Sequence, residues 1–214
     1  AAAEAFPGWA ALPAPSRGAI LFKAAELLTA RLPDVAHTLT REEGKTLAEA
    51  TREVTRARDI LRYYGGEGWR MSGDHLPPTM RSAMLFSRRE PLGVCAVITP
   101  WNFPIAIPAW KIAPALAFGD TVVFKPASAT PLTSLRLAEC LVDAGLPSGA
   151  LNLVTGAGSV VGYSLAADPV VRALTFTGSS EIGARIYPRA TEHFARVQLE
   201  MGGKNATVVL DDAD

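Results

Sequence analysis

The chain has 214 residues, 49% of them apolar and 20% charged, enough to bury a substantial core in one large domain or somewhat more. Lysine plus arginine equals aspartate plus glutamate at 21 each, so no net field draws it to nucleic acid or to acidic lipid. Two cysteines without a CxxC pair imply a reducing, cytoplasmic setting, and its 3 histidines lie in no metal-ligand spacing.

The first residues, AAAEAFPGWA, lack a basic stretch followed by an apolar core, so no signal peptide is read there. Ile20, Ala24, Leu27 and Leu28 then recur at helical spacing, which predicts an amphipathic helix over 16–31 with Ser16 as its N-cap. Pro33 opens a second helix that Gly44 can close. Thr46 caps a longer one to about Tyr64, with Ala50, Val54, Ala57, Ile60 and Leu61 on its apolar side. The arginines of that helix, Arg52, Arg56, Arg58 and Arg62, alternate with Glu49, Glu53 and Asp59 and read as a solvated face. GGEGWRMSGDHLPP breaks the helix, and TMRSAMLFSRREP predicts two exposed strands or a hairpin arm.

The stretch from Pro91 to Trp110 carries no charge and has about the length of a membrane span. Pro100, Asn102, Pro104 and Pro108 interrupt it, so it reads instead as a buried strand, a tight turn and a helix start. From Gly93 onward the β-rich runs GVCAVIT, TVVFK, ALNLVT, RALTFTG, RVQLE and ATVVLDD follow one another. Between the first five lie segments of helical length, 104–118, 131–144, 160–167 and 180–193. Alternation of this kind predicts an α/β fold, a Rossmann-like parallel sheet with helices on both faces. A boundary near residue 91 separates a helical and arm-forming segment, 1–91, from the α/β domain, 92–214.

Ligands of such sheets bind where strand ends lead into helix N-termini. GSSEIG after ALTFT and GAGSVVG after LNLVT stand at such places; each is a phosphate cradle or an ordinary turn. GSSEIG has P-loop spacing, but Ala184 stands where a lysine is needed. Lys125, followed by Pro126, Ala127 and Ser128, ends a strand at the same edge and can reach a ribose or phosphate, or simply be solvated. Asn102 in TPWNFP is a candidate donor to a developing oxyanion or a turn former. Glu200, in an apolar run before Gly202 and Gly203, is expected to be buried, a setting that suits a general base, or to pair with Lys204 or an arginine. Cys95 and Cys140 read as packing residues.

Together TPWNFP, FKPAS, GLPSGALNLVTG, FTGSSEIG and LEMGGKN, in this order, resemble the aldehyde dehydrogenase superfamily from about Trp9 to the last residue. The resemblance implies that Asn102 helps form an oxyanion hole and that Glu200 activates water to hydrolyse a thioester. It implies cofactor contacts from Ile98, Thr99, Pro100 and Trp101, from Lys125, Ala127 and Ser128, from Gly158, and from Phe176, Thr177, Gly178, Ser179 and Gly183. The early segment looks like the family's N-terminal helices and the start of its oligomerisation hairpin, which implies a homo-oligomer.

In that family a cysteine thiolate attacks the aldehyde and a hydride passes to NAD or NADP. The family's nucleophilic cysteine lies C-terminal to LEMGGKN, beyond Asp214, and neither Cys95 nor Cys140 aligns with it. The 214 residues are therefore expected to bind cofactor without oxidising aldehydes. An alternative is a truncated, inactive nucleotide-binding or scaffold protein. Ser128 stands where NAD-preferring relatives often carry a glutamate, so NADP acceptance is expected. FKPAS with LNLVTG looks most like the semialdehyde dehydrogenases, which implies a small aldehyde as substrate. The balanced charge, the interrupted apolar run and the histidine spacing lead to no expected nucleic-acid or membrane partner and no metal.

Overall fold

The computed structural model describes residues 1–213. It opens on a helix the sequence did not announce, α1 (Ala2–Ala11), which buries Ala2 and Trp9. Next come α2 (Ala14–Ala30), α3 (Leu32–Glu43) and α4 (Leu47–Gly65). Helix α2 starts ahead of the expected cap: Pro13 is the flanking residue, Pro15 sits in the first turn, and Ser16 lies inside the helix. Gly44 closes α3 at φ 97°, a left-handed conformation that glycine adopts without a Cβ clash. Thr46 caps α4 through a capping box, its hydroxyl accepting from the Glu49 amide while the Glu49 carboxylate accepts from the Thr46 amide.

The arm is shorter than the sequence implied. Strands β1 (His75–Leu76) and β2 (Leu85–Phe86) pair antiparallel, His75 opposite Phe86, and all four residues are exposed. The first of them falls in the segment read as a helix break.

The remaining elements are β3 (Val94–Ile98), α5 (Ala106–Phe118), β4 (Thr121–Lys125), α6 (Pro131–Asp143), β5 (Leu151–Leu153), α7 (Tyr163–Ala167), β6 (Val171–Gly178), α8 (Ser180–Thr191) and β7 (Arg196–Met201). A π-helical turn, Gly158–Gly162, leads into α7. The five strands form one parallel sheet in the order β5-β4-β3-β6-β7. ATVVLDD is not a sixth strand. A strand persists through the hydrogen bonds of a neighbour, and beyond β7 none is present among the described residues, so Val208, Val209 and Leu210 are exposed.

Alternating side chains of β3 feed two cores. Cys95 and Val97 join α2 to α6 on one face, while Val94, Ala96 and Ile98 pack with Ala166, Ile186 and Ala190 of α7 and α8 on the other. The helical segment also caps the helices of the sheet. Glu42 accepts from the amides of Leu132 and Thr133 at 2.6 and 2.7 Å, at the start of α6. Glu53 does the same for Ile105 and Ala106 at the start of α5, both at 3.1 Å. Carboxylates there satisfy orphan amides and complement the positive helix ends. Buried Arg17 completes the junction, donating to the carbonyls of Ala117, Ala10 and Leu12.

Candidate functional site

The strand order reverses direction at β3, from which the chain moves first to β4 and β5 and later to β6 and β7. The carboxyl ends of β3 and β6 therefore flank the crevice where open α/β sheets take ligands. After β3, Thr99 is buried, and Trp101 and Asn102 turn outward. After β6, Ser179 caps α8 by accepting from the Ile182 amide at 3.3 Å. The glycines beside it make room for close approach: a Cβ on Gly178 would stand 2.5 Å from Phe176 Cζ, and one on Gly183 would push aside the Met201 thioether, 2.5 Å away.

A cavity of about 340 Å³ at this point is lined by Pro100, Trp101, Asn102, Thr177, Gly178, Ser179 and Glu200, with Met201 and Gly202. Asn102 and Glu200, read from separate motifs, thus meet in one crevice. The expected burial of Glu200 is not found. It is exposed, because β7 is the edge of the sheet and nothing described lies beyond it. Its carboxylate accepts a long 3.3 Å bond from Gln198 and forms no ion pair among the described residues.

Lys125, Ala127, Ser128 and Gly158 form a second group further along the same edge. Lys125 is buried rather than solvated, and burial lowers its pKa from the ordinary lysine value. Its ammonium donates to the Pro126 carbonyl at 2.9 Å, which leaves donors free for an acceptor. Gly162 stands against both Ile98 and Lys125: a Cβ added to it would lie 3.9 and 4.0 Å from their side chains, so the π turn and Lys125 belong to one surface. The Ser128 hydroxyl donates to the Gly156 carbonyl at 3.1 Å and ties the loop after β4 to the turn after β5.

These features fit a dinucleotide. The N-terminus of α8 and the open space over Gly158 suit phosphate and base, the Lys125 ammonium suits a ribose or phosphate oxygen, and the buried Thr99 hydroxyl has no partner among the described residues. Among the described residues no group of three His, Cys, Asp or Glu could hold a metal ion, and no helix is long and apolar enough to cross a membrane.

Three contributors escaped the reading of motifs. Lys45 donates to the Asn102 backbone oxygen at 2.9 Å and to the Glu53 carboxylate at 2.6 Å, and lies 4.4 Å from the centre of the Phe103 ring. Lys111 is buried on α5 and donates to the Thr175 hydroxyl at 2.6 Å, which donates on to Gln198 at 2.9 Å. Burial pushes its pKa down to about 8, with Glu200 and Cys95 pulling it upward. Its signal was available, since a lone lysine inside the apolar run AIPAWKIAPALAF is rarely buried without a task. Trp110, on the same helix, lines a cavity of about 350 Å³ together with Lys111, Thr177 and Glu200. Cys95 and Cys140 are buried as expected, and desolvation pushes the Cys95 thiol up to about 12.

A parallel sheet with this order and this crevice defines a Rossmann-like α/β protein, and the family is narrower still. The sequence model described as the aldehyde dehydrogenase family matches residues 1–214, and the chain belongs to that family. It is 52% identical over its whole length to the alpha-ketoglutaric semialdehyde dehydrogenase of Bacillus subtilis and 44% identical to the NADP(+) succinate-semialdehyde dehydrogenase GabD of Escherichia coli. It spans 44% of the length of each of these curated relatives. The crystal structure of PnpE, from Pseudomonas sp. WBC-3, in complex with nicotinamide adenine dinucleotide superposes with a TM-score of 0.93 at 37% identity, over 96% of this chain and 42% of that one.

Proposed function

We propose that these residues form the cofactor-binding portion of a cytoplasmic, homo-oligomeric, NAD(P)-dependent aldehyde dehydrogenase that oxidises a semialdehyde to the carboxylic acid. The observation that carries the reading is the convergence of Asn102 and Glu200 on one crevice at the switch point of the sheet. Residues 1–91 serve as the helical and arm-forming part, and 92–214 as the dinucleotide-binding domain.

In this reading the dinucleotide rests on Ile98, Thr99, Pro100 and Trp101, on Phe176, Thr177, Gly178, Ser179 and Gly183, and on Lys125, Ala127, Ser128 and Gly158. When bound, it supplies the hydride acceptor. The Asn102 amide donates to the aldehyde oxygen as negative charge develops there. The Glu200 carboxylate takes a proton from the water that releases the acid. The nucleophile comes from outside residues 1–213, because Cys95 is an inert, deeply buried thiol and Cys140 is buried on α6. The 214 residues alone then bind dinucleotide and oxidise nothing.

The test compares the full-length protein with residues 1–214 alone. The full-length protein should reduce NAD or NADP with succinate semialdehyde, and Asn102→Ala and Glu200→Gln should each lower kcat by about a hundredfold or more. The 214-residue chain should bind dinucleotide without turnover. A full-length protein inert toward every aldehyde, or turnover by the short chain, overturns the reading.

A further inference from the structure

We propose that Arg56, on α4, receives the distal carboxylate of the semialdehyde, an inference that rests on the aldehyde dehydrogenase reading above. Helices α4 and α5 border an open cavity of about 600 Å³, whose lining includes Lys45, Arg52, Arg56, Asn102, Phe103 and Trp110. Asn102 also lines the crevice that holds Glu200, and Trp110 also lines the smaller cavity with Glu200 and Thr177. Asn102 and Trp110 thus each border both the space at Glu200 and the cavity that holds the arginines. With chemistry at the Asn102 and Glu200 end, the other end of a short substrate faces α4.

The charges of that wall are unequally spoken for. Lys45 is held by Glu53 at 2.6 Å, with Glu43 at 3.7 Å. Glu49 is occupied by the amide and hydroxyl of Thr46, at 3.0 and 2.7 Å, and Arg52 and Lys45 share its field. Arg56, like Arg52, forms no ion pair among the described residues, but Arg56 stands at Trp110 rather than in the field of Glu49. Its guanidinium carbon lies 5.9 Å from the centre of the Trp110 ring. A guanidinium lodged near an indole keeps its planar fork of N–H donors open, and that fork matches a carboxylate in geometry and charge. The substrates named for the two relatives above, alpha-ketoglutaric and succinate semialdehyde, carry a carboxylate at the end away from the aldehyde. An aldehyde without one makes no use of Arg56, so the residue sets specificity rather than chemistry.

The experiment measures steady-state kinetics of the full-length protein, wild type, Arg56→Met and Arg56→Lys, with succinate semialdehyde and with butanal as the uncharged counterpart. Arg56 is exposed on its helix, so both variants should fold. The Met variant should raise KM for succinate semialdehyde by about tenfold or more, the scale of one charge-assisted hydrogen bond. Its kinetics with butanal should be unchanged, and the Lys variant should fall between. An equal effect on both aldehydes, or no effect on succinate semialdehyde in an enzyme that oxidises it, overturns the role of Arg56 and leaves the family reading standing. A wild-type protein that oxidises neither of these, nor alpha-ketoglutaric semialdehyde or any other aldehyde, overturns both.

Discussion

The Lys45 ammonium lies 2.6 Å from the buried Glu53 carboxylate, whose other oxygen caps α5. The same ammonium holds the backbone oxygen of Asn102. One ion pair from the helical segment thus fixes both the start of α5 and the turn that presents the candidate oxyanion donor. Lys45→Met should leave the Glu53 carboxylate buried without its partner and cost about 3 kcal/mol of stability, read by urea unfolding. In the full-length protein kcat should fall more than KM changes, since Asn102 is proposed to act on the reacting oxygen. A variant as stable as wild type would remove the pair from any such role.

Lys125 is expected to carry much of the dinucleotide affinity. Lys125→Ala should weaken NADP binding by about tenfold or more, the scale of a charge-assisted hydrogen bond, measured by titration of intrinsic fluorescence. With Ser128 and no carboxylate at the neighbouring position, the wild type should bind NADP at least as tightly as NAD. NAD binding tighter by about tenfold would count against that preference.

Lys111 should leave a signature in the pH dependence of stability. Its pKa falls to about 8 in the folded chain, chiefly through burial, whereas the unfolded chain keeps the ordinary lysine value. Between the two values the unfolded chain binds the extra proton, so stability rises with pH across that window and the full penalty is present below about 8. Lys111→Met removes this contribution. The difference in Tm between variant and wild type should shift in favour of wild type as pH rises from about 7 to about 10. A difference independent of pH would show that Lys111 does not titrate there.

The thiols should be inert. Cys95 is buried, with its pKa near 12, and Cys140 is buried beside Arg31. Neither should react with a thiol reagent at neutral pH until the chain unfolds. Cys95→Ala should leave full-length activity unchanged.

The 214-residue polypeptide on its own should self-associate. The outer edge of β7 is unpaired among the described residues, and Val208, Val209 and Leu210 are exposed at 80%, 76% and 65%. Unpaired strand edges and apolar patches recruit partners. Light scattering that shows a clean monomer would contradict this.

Local chemistry made much of this protein legible in its sequence. Thr46 with Glu49, Gly44, the alternation of β3 and the glycines of FTGSSEIG are each readable because the interaction spans a few residues or follows a strict period. What only the tertiary structure decided concerns partners distant in the chain. Glu42 and Glu53 cap helices some fifty to ninety residues away; they look like ordinary solvated carboxylates, since nothing nearby in sequence shows which amides lack partners. Lys125 was open to a solvated reading and is buried, because the loop 126–128 and the turn after β5 close around the strand end. Glu200 was expected inside and lies outside, and ATVVLDD was expected as a strand and is not. Burial and strand pairing belong to whatever lies alongside, and sequence pattern records only the readiness of a segment to accept a neighbour.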